Sequence, residues 1–154
     1  MANTYSQIYI QIIFSVSRRY SIIPKSKKEE LHKYITGIIS NRNQKLLAIN
    51  CMPDHTHILI GLKPNIALSD LVRDIKAASS GFINEKKWVK GRFSWQEGYG
   101  SFSYSHSQID RIIKYINNQE MHHVKRSFKD EYMRFLKDFN IEFDNEYLFH
   151  WIDI

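Results

Sequence analysis

Residues 48–61 read AINCMPDHTHILIG, and this stretch contains two apolar runs separated by a Pro-Asp pair. Proline and aspartate favour turns, so the two runs are predicted to be neighbouring antiparallel strands. Along a strand, side chains two residues apart point to the same face. His55 and His57 are therefore predicted to face together, while Thr56 and the isoleucines that follow it face the other side of the sheet.

Hydrophobic spacing on either side of this stretch predicts the rest of the domain. Residues 8–16 alternate apolar and polar side chains as a strand does, and residues 91–105 alternate aromatic with small residues, as in a fourth strand interrupted by glycines. Apolar residues at helical spacing predict helices over 25–44, 67–88, 107–124 and 128–140. The order β-α-β-β-α-β-α-α predicts one α+β domain over residues 1–154, an antiparallel β-sheet flanked by α-helices with the hairpin of 45–62 in its middle.

Charge is distributed unevenly along the chain. The net charge is +6 over 154 residues, but up to Phe128 there are 19 Lys and Arg against 9 Asp and Glu, and from Lys129 onward 3 against 7. The excess of positive charge up to Phe128 favours a polyanionic partner such as nucleic acid, although many basic proteins bind no nucleic acid. A single cysteine cannot form a disulfide framework, and no apolar run approaches the roughly 20 residues of a membrane span. We expect a cytoplasmic protein without membrane association.

Two histidines on one strand face have two interpretations. Neutral imidazoles a few ångströms apart can chelate a divalent ion, but they can equally be partly buried residues that bond to the backbone. A metal site would need a third ligand from another element. Cys51 on the neighbouring strand is a poor candidate, because a lone cysteine usually behaves as a small buried apolar residue.

The helix predicted over 107–124 presents a tyrosine beside its apolar stripe. The stripe consists of four isoleucines at helical spacing, and Tyr115, Gln119 and His122 fall together on a neighbouring face. This arrangement presents a phenol and an amide oxygen side by side. A tyrosine at such an edge is also compatible with ordinary amphipathic packing.

Three motifs in this order and at these separations resemble one family. MPDHTHILI, WQEGYGSFS and YINNQEMHH are similar to segments of the single-tyrosine HUH transposases of small insertion sequences, which move as single-stranded DNA. The segments SRRYSIIP and EYMRFLKDFNIEFDNEYLF extend the resemblance over nearly the whole chain. Thr56 departs from the bulky hydrophobic residue that this family usually has between its two histidines, but it leaves both histidines in place.

The resemblance implies a ferredoxin-like, RRM-like HUH fold and a set of site residues. His55, His57 and Gln119 would bind a divalent metal, Mg²⁺ or Mn²⁺, and Tyr115 would be the nucleophile. The implied reaction is a transesterification in which the tyrosine forms a 5′-phosphotyrosine and frees a 3′-hydroxyl. Because this intermediate conserves the energy of the broken bond, no nucleotide cofactor is needed, and no phosphate-binding loop motif is found. A neighbouring cation or base would have to activate the phenol, and His122 is a candidate.

The resemblance also implies a homodimer, in a bacterial or archaeal cell, that binds single-stranded DNA with hairpins at the ends of the element. Basic and aromatic side chains suit such a strand, because cations neutralise phosphates and rings stack on bases. The same residues also fit a solvated surface or the core. The predicted DNA contacts are Arg73, Lys76, Lys86, Lys87, Lys90, Arg92 and Trp95.

Other function classes remain open. A nuclease with three metal-binding carboxylates would need acidic residues grouped on the sheet, whereas the acids here gather in the last quarter of the chain. A metal-dependent hydrolase would use the two histidines without Tyr115. A host-fixed relative that acts on repeated palindromes, or a non-catalytic module that binds DNA hairpins, would share the basic surface.

Overall fold

The computed structural model describes residues 3–17 and 22–152. The elements in these ranges are, in order, β1 (Tyr9–Ser15), α1 (Lys28–Asn41), β2 (Lys45–Cys51), β3 (His55–Gly61), α2 (Leu68–Lys86), β4 (Gly100–Tyr104), α3 (Ile109–Asn117), α4 (Gln119–Lys125) and α5 (Phe128–Asp138). The predicted α+β class is confirmed. The order of elements is also as predicted, except that the helix expected over 107–124 is two helices. Residues 18–21 of the SRRYSIIP segment lie outside the described ranges. None of the described helices is long and apolar enough to cross a membrane.

The strands form one antiparallel sheet in the order β2-β3-β1-β4. The prediction that the hairpin of 45–62 forms the middle of the sheet is correct for β3 and wrong for β2. β2 lies at an edge because β1 pairs with the other side of β3 and separates it from β4. All of β3 except its last residue is buried, as expected for an inner strand that is covered on both faces.

The two faces of β3 belong to different clusters of apolar side chains. Ile58 packs with residues of α1 and α2 in the larger cluster, and burial of a side chain of this size contributes about 1.5–3 kcal/mol to stability. Leu59 points the other way and packs with Ile116 of α3. Because His57 and His55 lie two and four residues before Leu59, they occupy the face that α3 covers.

A break at Asn118 separates α3 from α4. The backbone of Asn118 leaves the helical range, with φ −101° and ψ 22°, and asparagine favours such interruptions because its side chain competes for backbone hydrogen bonds. His122 stacks on the Tyr115 ring with 4.5 Å between ring centroids. His123, one residue further on, reaches the histidines of β3. The prediction of a single helix is therefore wrong at Asn118, and the break there sets the direction in which His122 and His123 point.

β4 is shorter than predicted, because residues 91–99 form no regular strand and Trp95 makes only an isolated bridge to the end of β1. Gly98 has φ +83°, a left-handed conformation that glycine adopts most readily. Gly100 serves a different purpose. A Cβ atom there would lie 2.7 Å from the hydroxyl oxygen of Tyr132, so this glycine permits the close approach of α5 to the sheet.

Candidate active site

The two histidines of β3 are held in one tautomer by acceptors at their Nδ1 atoms. Asp54 Oδ1 accepts from His55 Nδ1 at 2.7 Å, and Gln11 Oε1 accepts from His57 Nδ1 at 2.7 Å. The amide of Gln11 is itself oriented, because its nitrogen donates to the Tyr104 hydroxyl at 2.7 Å. With a proton on each Nδ1, both Nε2 atoms are free to act as metal ligands.

Glu131 and His123 complete a cluster around these nitrogens. Glu131 Oε1 lies 3.0 Å from His57 Nε2, 3.3 Å from His123 Nε2 and 3.6 Å from His55 Nε2. One ligand atom from each of the four residues falls within 4.8 Å of all the others. The distances to Glu131 Oε1 are close to the spacing of about 3 Å between neighbouring ligands of an ion with bonds of about 2.1 Å. His55, His57, His123 and Glu131 form a potential metal site.

The hydrogen-bonding pattern of the cluster is also compatible with a bound cation. His55 Nε2 is buried and has no hydrogen-bond partner in the described part of the chain. Burial lowers the pKa of His57 and so favours its neutral form, whose Nε2 lone pair faces the Glu131 carboxylate. Two facing acceptors repel each other unless a proton or a cation lies between them. This donor set therefore fits a divalent ion.

Glu131 is 3% exposed and is held as a carboxylate by its neighbours. Burial by itself raises the pKa of Glu131, but the imidazoles that surround it, His57 foremost, outweigh burial and hold the pKa well below its usual range. His123 shows the reciprocal effect. Burial lowers its pKa, and the hydrogen bond and charge of Glu131 raise it above the ordinary value.

Tyr115 joins the cluster through Glu131. Its hydroxyl donates a hydrogen bond to the second carboxylate oxygen, Oε2, in the same chain. Burial, followed by the charge of Glu131 and this hydrogen bond, raises the pKa of Tyr115. Gln119 is fully buried, and its amide oxygen accepts from His123 Nε2 at 3.0 Å. The predicted nucleophile and the three predicted ligands thus come together in one chain.

The sequence interpretation missed Glu131, and a signal for it was present. On α5, Phe128 and Phe135 lie three residues before and four residues after Glu131, so the acid stands within the apolar stripe of the helix. A carboxylate in such a stripe requires buried partners. The sequence offered weaker signals for two further residues. Gln11 is a polar residue within a predicted strand, and Asp54 is the second residue of a predicted turn.

Two of the predicted DNA contacts have structural partners. Trp95 is 9% exposed, and its indole nitrogen donates to the Ser79 hydroxyl at 2.9 Å. The Lys76 ammonium donates to the carbonyl oxygens of Gln96 and Gly98, and burial lowers the pKa of Lys76 to about 8. Trp95 is thus part of the core, and Lys76 fixes the loop before β4.

The other predicted contacts lie on the surface. Arg73 is exposed and forms ion pairs with Asp70 and Asp74. The remaining four are exposed side chains at and after the end of α2, and in the described residues none of them forms an ion pair. They are Lys86, Lys87, Lys90 and Arg92.

Comparisons with known proteins agree with this fold. The family model described as Transposase IS200 like matches residues 4–119. ISDra2 transposase TnpA of Deinococcus radiodurans is 26% identical over 120 residues, which cover 73% of this chain and 84% of that protein. Two solved structures share the fold. One, from Deinococcus radiodurans R1 and assigned as a transposase, has a TM-score of 0.58 at 22% identity and covers 77% of this chain and 95% of its own.

The second solved structure is a REP-associated tyrosine transposase bound to a REP hairpin. Its TM-score is 0.60 at 16% identity, and the likeness covers 80% of this chain and 73% of that one. The family match spans most of the chain and includes both strand histidines, Tyr115 and Gln119, whereas His123 and Glu131 lie beyond its last residue. This chain belongs to the IS200-like transposase family.

Proposed function

We propose that this protein cleaves and rejoins single-stranded DNA by transesterification through Tyr115. The tyrosine oxygen gives up its proton and attacks a backbone phosphorus, the bond from phosphorus to the 3′-oxygen breaks, and the 3′-oxygen takes up a proton and leaves as a free 3′-hydroxyl. The 5′-phosphate stays bonded to Tyr115 until a 3′-hydroxyl attacks it and releases the tyrosine. The observation that carries this proposal is the convergence of the Tyr115 hydroxyl and both strand histidines on Glu131 in one buried cluster.

His55 and His57 are the proposed metal ligands, each through Nε2, together with Gln119, as the resemblance implied. His123 is left out of this set because its Nε2 donates to the Gln119 amide oxygen. We add Glu131, because its Oε1 lies within 3.6 Å of both of these nitrogens. A carboxylate, an amide oxygen and two imidazoles suit Mg²⁺ or Mn²⁺ better than a closed zinc site. When bound, the ion supplies a Lewis acid for the scissile phosphate.

The remaining residues orient these groups. Asp54 and Gln11 keep the two imidazoles with Nε2 toward the cluster. Glu131 accepts a hydrogen bond from the Tyr115 hydroxyl and so fixes the direction of the oxygen that attacks. His122 stacks on the tyrosine ring and limits its rotation.

The DNA partner is proposed to carry hairpins. The fold is shared with a transposase solved on a REP hairpin, and the exposed cations after α2 offer a surface for phosphates. A homodimer and a cytoplasmic location are further parts of this proposal. A host-fixed relative that acts on repeated palindromes is the second candidate, and it predicts the same chemistry on genomic palindromes.

The test is covalent trapping. The protein is incubated with Mn²⁺ and labelled single-stranded hairpin oligonucleotides taken from the DNA that flanks its gene, and the products are separated under denaturing conditions. The wild type is expected to give a protein-linked band, and Tyr115→Phe none, with Mn²⁺ affinity retained. Tyr147→Phe is the matched control, because Tyr147 is 81% exposed and lines a different cleft from Tyr115.

Each alternative class predicts a different result. A hydrolase that uses only the histidines would keep cutting DNA after Tyr115→Phe. A non-catalytic module would bind the hairpins and give neither nicked product nor adduct. Either result would refute the proposed reaction.

A further inference from the structure

A cleft of about 540 Å³ lies where α3 and α5 approach each other, and it opens beside the nucleophile. Tyr115 and Glu131 are among its lining residues. Glu131 is buried and Tyr115 is half-buried, so they form its floor. The cleft therefore gives a path from solvent to the hydroxyl oxygen that is proposed to attack DNA.

Three arginines from three segments line this cleft. Arg111 comes from α3, Arg126 from the connection between α4 and α5, and Arg134 from α5, and all three are exposed. Arg134 lies 3.9 Å from Asp138, a weak exposed ion pair. Within the described residues, no carboxylate lies within 4.0 Å of the guanidinium of Arg111 or Arg126. Two arginines without a carboxylate partner and a third with only a weak one are suited to phosphate, which a guanidinium binds through two parallel hydrogen bonds.

Aromatic side chains line the same cleft as these arginines. Phe135, Phe139 and Tyr104 also line the cleft, and Phe139 is 36% exposed. An exposed ring stacks on an unpaired base, whereas the bases of a duplex are already stacked on each other. This combination of rings and arginines favours a single strand over a double helix.

We propose that this cleft seats the single-stranded segment next to the scissile phosphate, with Arg111, Arg126 and Arg134 on its backbone phosphates and Phe139 on a base. The inference rests on the proposed function and adds residues that the sequence interpretation did not include. Arg126 and Arg134 also lie beyond the residues that the family model matches.

The first test measures the salt dependence of DNA binding. Fluorescent oligothymidylate is titrated at several salt concentrations with Tyr115→Phe protein that carries Arg111→Ala, Arg126→Ala or Arg134→Ala. Each lost phosphate contact is expected to reduce the slope of log K against log salt by about 0.7, which corresponds to about fivefold weaker binding at 0.1 M salt. Lys114→Ala and Lys137→Ala are matched controls on α3 and α5, because these lysines are exposed and lie outside the cleft.

The second test locates the contacts along the strand. Hairpin oligonucleotides that the wild type cleaves are made with one uncharged methylphosphonate at a time near the cut. The neutral linkage is expected to weaken binding to Tyr115→Phe protein and to have no further effect in the variant that lacks the matching arginine.

The two proposals fail in different ways. If the wild type forms its adduct while the arginine variants keep the binding slope of the lysine controls, the cleft assignment is wrong and the proposed reaction stands. If no adduct forms on any end sequence, the proposed reaction is wrong, and the oligothymidylate titration still decides whether the cleft binds a single strand. Unchanged Mn²⁺ affinity in the arginine variants shows that the metal site is intact.

Discussion

Gly100→Ala tests whether the close approach of α5 to β4 holds the site together. The added Cβ would lie 2.7 Å from the Tyr132 hydroxyl oxygen, 2.8 Å from Tyr132 Cε1 and 3.0 Å from Phe102 Cε2, all inside ordinary contact. Both aromatic side chains are buried, at 6% and 2% exposure, so neither moves without disturbing the core. Overpacking of this kind costs about 1–3 kcal/mol, and each kcal/mol lowers Tm by about 2–4 °C in a chain of this size.

The assay is thermal and urea unfolding followed by circular dichroism. Gly37→Ala in α1 and Gly81→Ala in α2 are the matched controls, because a Cβ at either position meets nothing within 4 Å. Alanine is favoured over glycine inside a helix by about 0.5–1 kcal/mol, so these two changes are expected to stabilise the protein. Adding Tyr132→Phe to Gly100→Ala should restore only part of the loss, because Cε1 remains too close.

The same substitution should affect the metal site. Tyr132 directly follows Glu131 on α5, so a displaced ring moves the carboxylate away from the strand histidines. Mn²⁺ affinity, measured by the fall in the free-ion electron paramagnetic resonance signal, is expected to decrease along with stability. The reasoning is refuted if Gly100→Ala is as stable as the two helix controls.

Three further changes probe the metal ligands and the pH dependence of stability. Asp54→Asn should weaken Mn²⁺ binding about 10–100-fold, because the imidazole of His55 loses the carboxylate that orients it; unchanged affinity would contradict this role. Glu131→Gln should weaken Mn²⁺ binding more than Gln119→Ala in the same titration, and the reverse order would leave the amide as the stronger ligand. The pKa of Lys76 in the folded protein, about 8, lies below the ordinary value of 10.5. The unfolded chain therefore binds this proton more tightly than the folded protein does. As a result, the free energy of unfolding increases as the pH rises from about 8 to 10.5. Compared with Lys76→Met in urea unfolding, the wild type should gain of order 1–3 kcal/mol over this range, and parallel pH profiles would exclude the effect.

The sequence was sufficient for the order of the elements, apart from the break at Asn118, and for the side chains that share a face of β3. Alternation along β3 predicted the common direction of His55 and His57, because strand geometry depends on local spacing alone. The order of the strands in the sheet does not depend on local spacing. Nothing in residues 45–62 indicates that β1 inserts beside β3, since strand order depends on which apolar faces α1 and α2 cover together.

The site was predictable where one element presents neighbouring residues and unpredictable where separate elements meet. Tyr115 and Gln119 are one turn apart on the chain, so helical spacing related them. His123 reaches the cluster only because the helix breaks at Asn118, a change of direction that a continuous helical pattern does not encode. Predicting the role of Glu131 would have required knowing that α5 packs over the strand histidines. The acid in its apolar stripe was the one local sign.

The position of Glu131 has a consequence for how relatives of this protein are assessed. The motif of two histidines and a tyrosine is complete by residue 119, where the family model also ends. A homologous chain that stopped before Phe128, or that carried a leucine in place of the acid, would keep that motif and lose the carboxylate that joins both histidines to the tyrosine. Surveys that search for copies with the complete cluster should therefore ask for an acid within the apolar stripe of the following helix, because the histidine and tyrosine motif does not report on it.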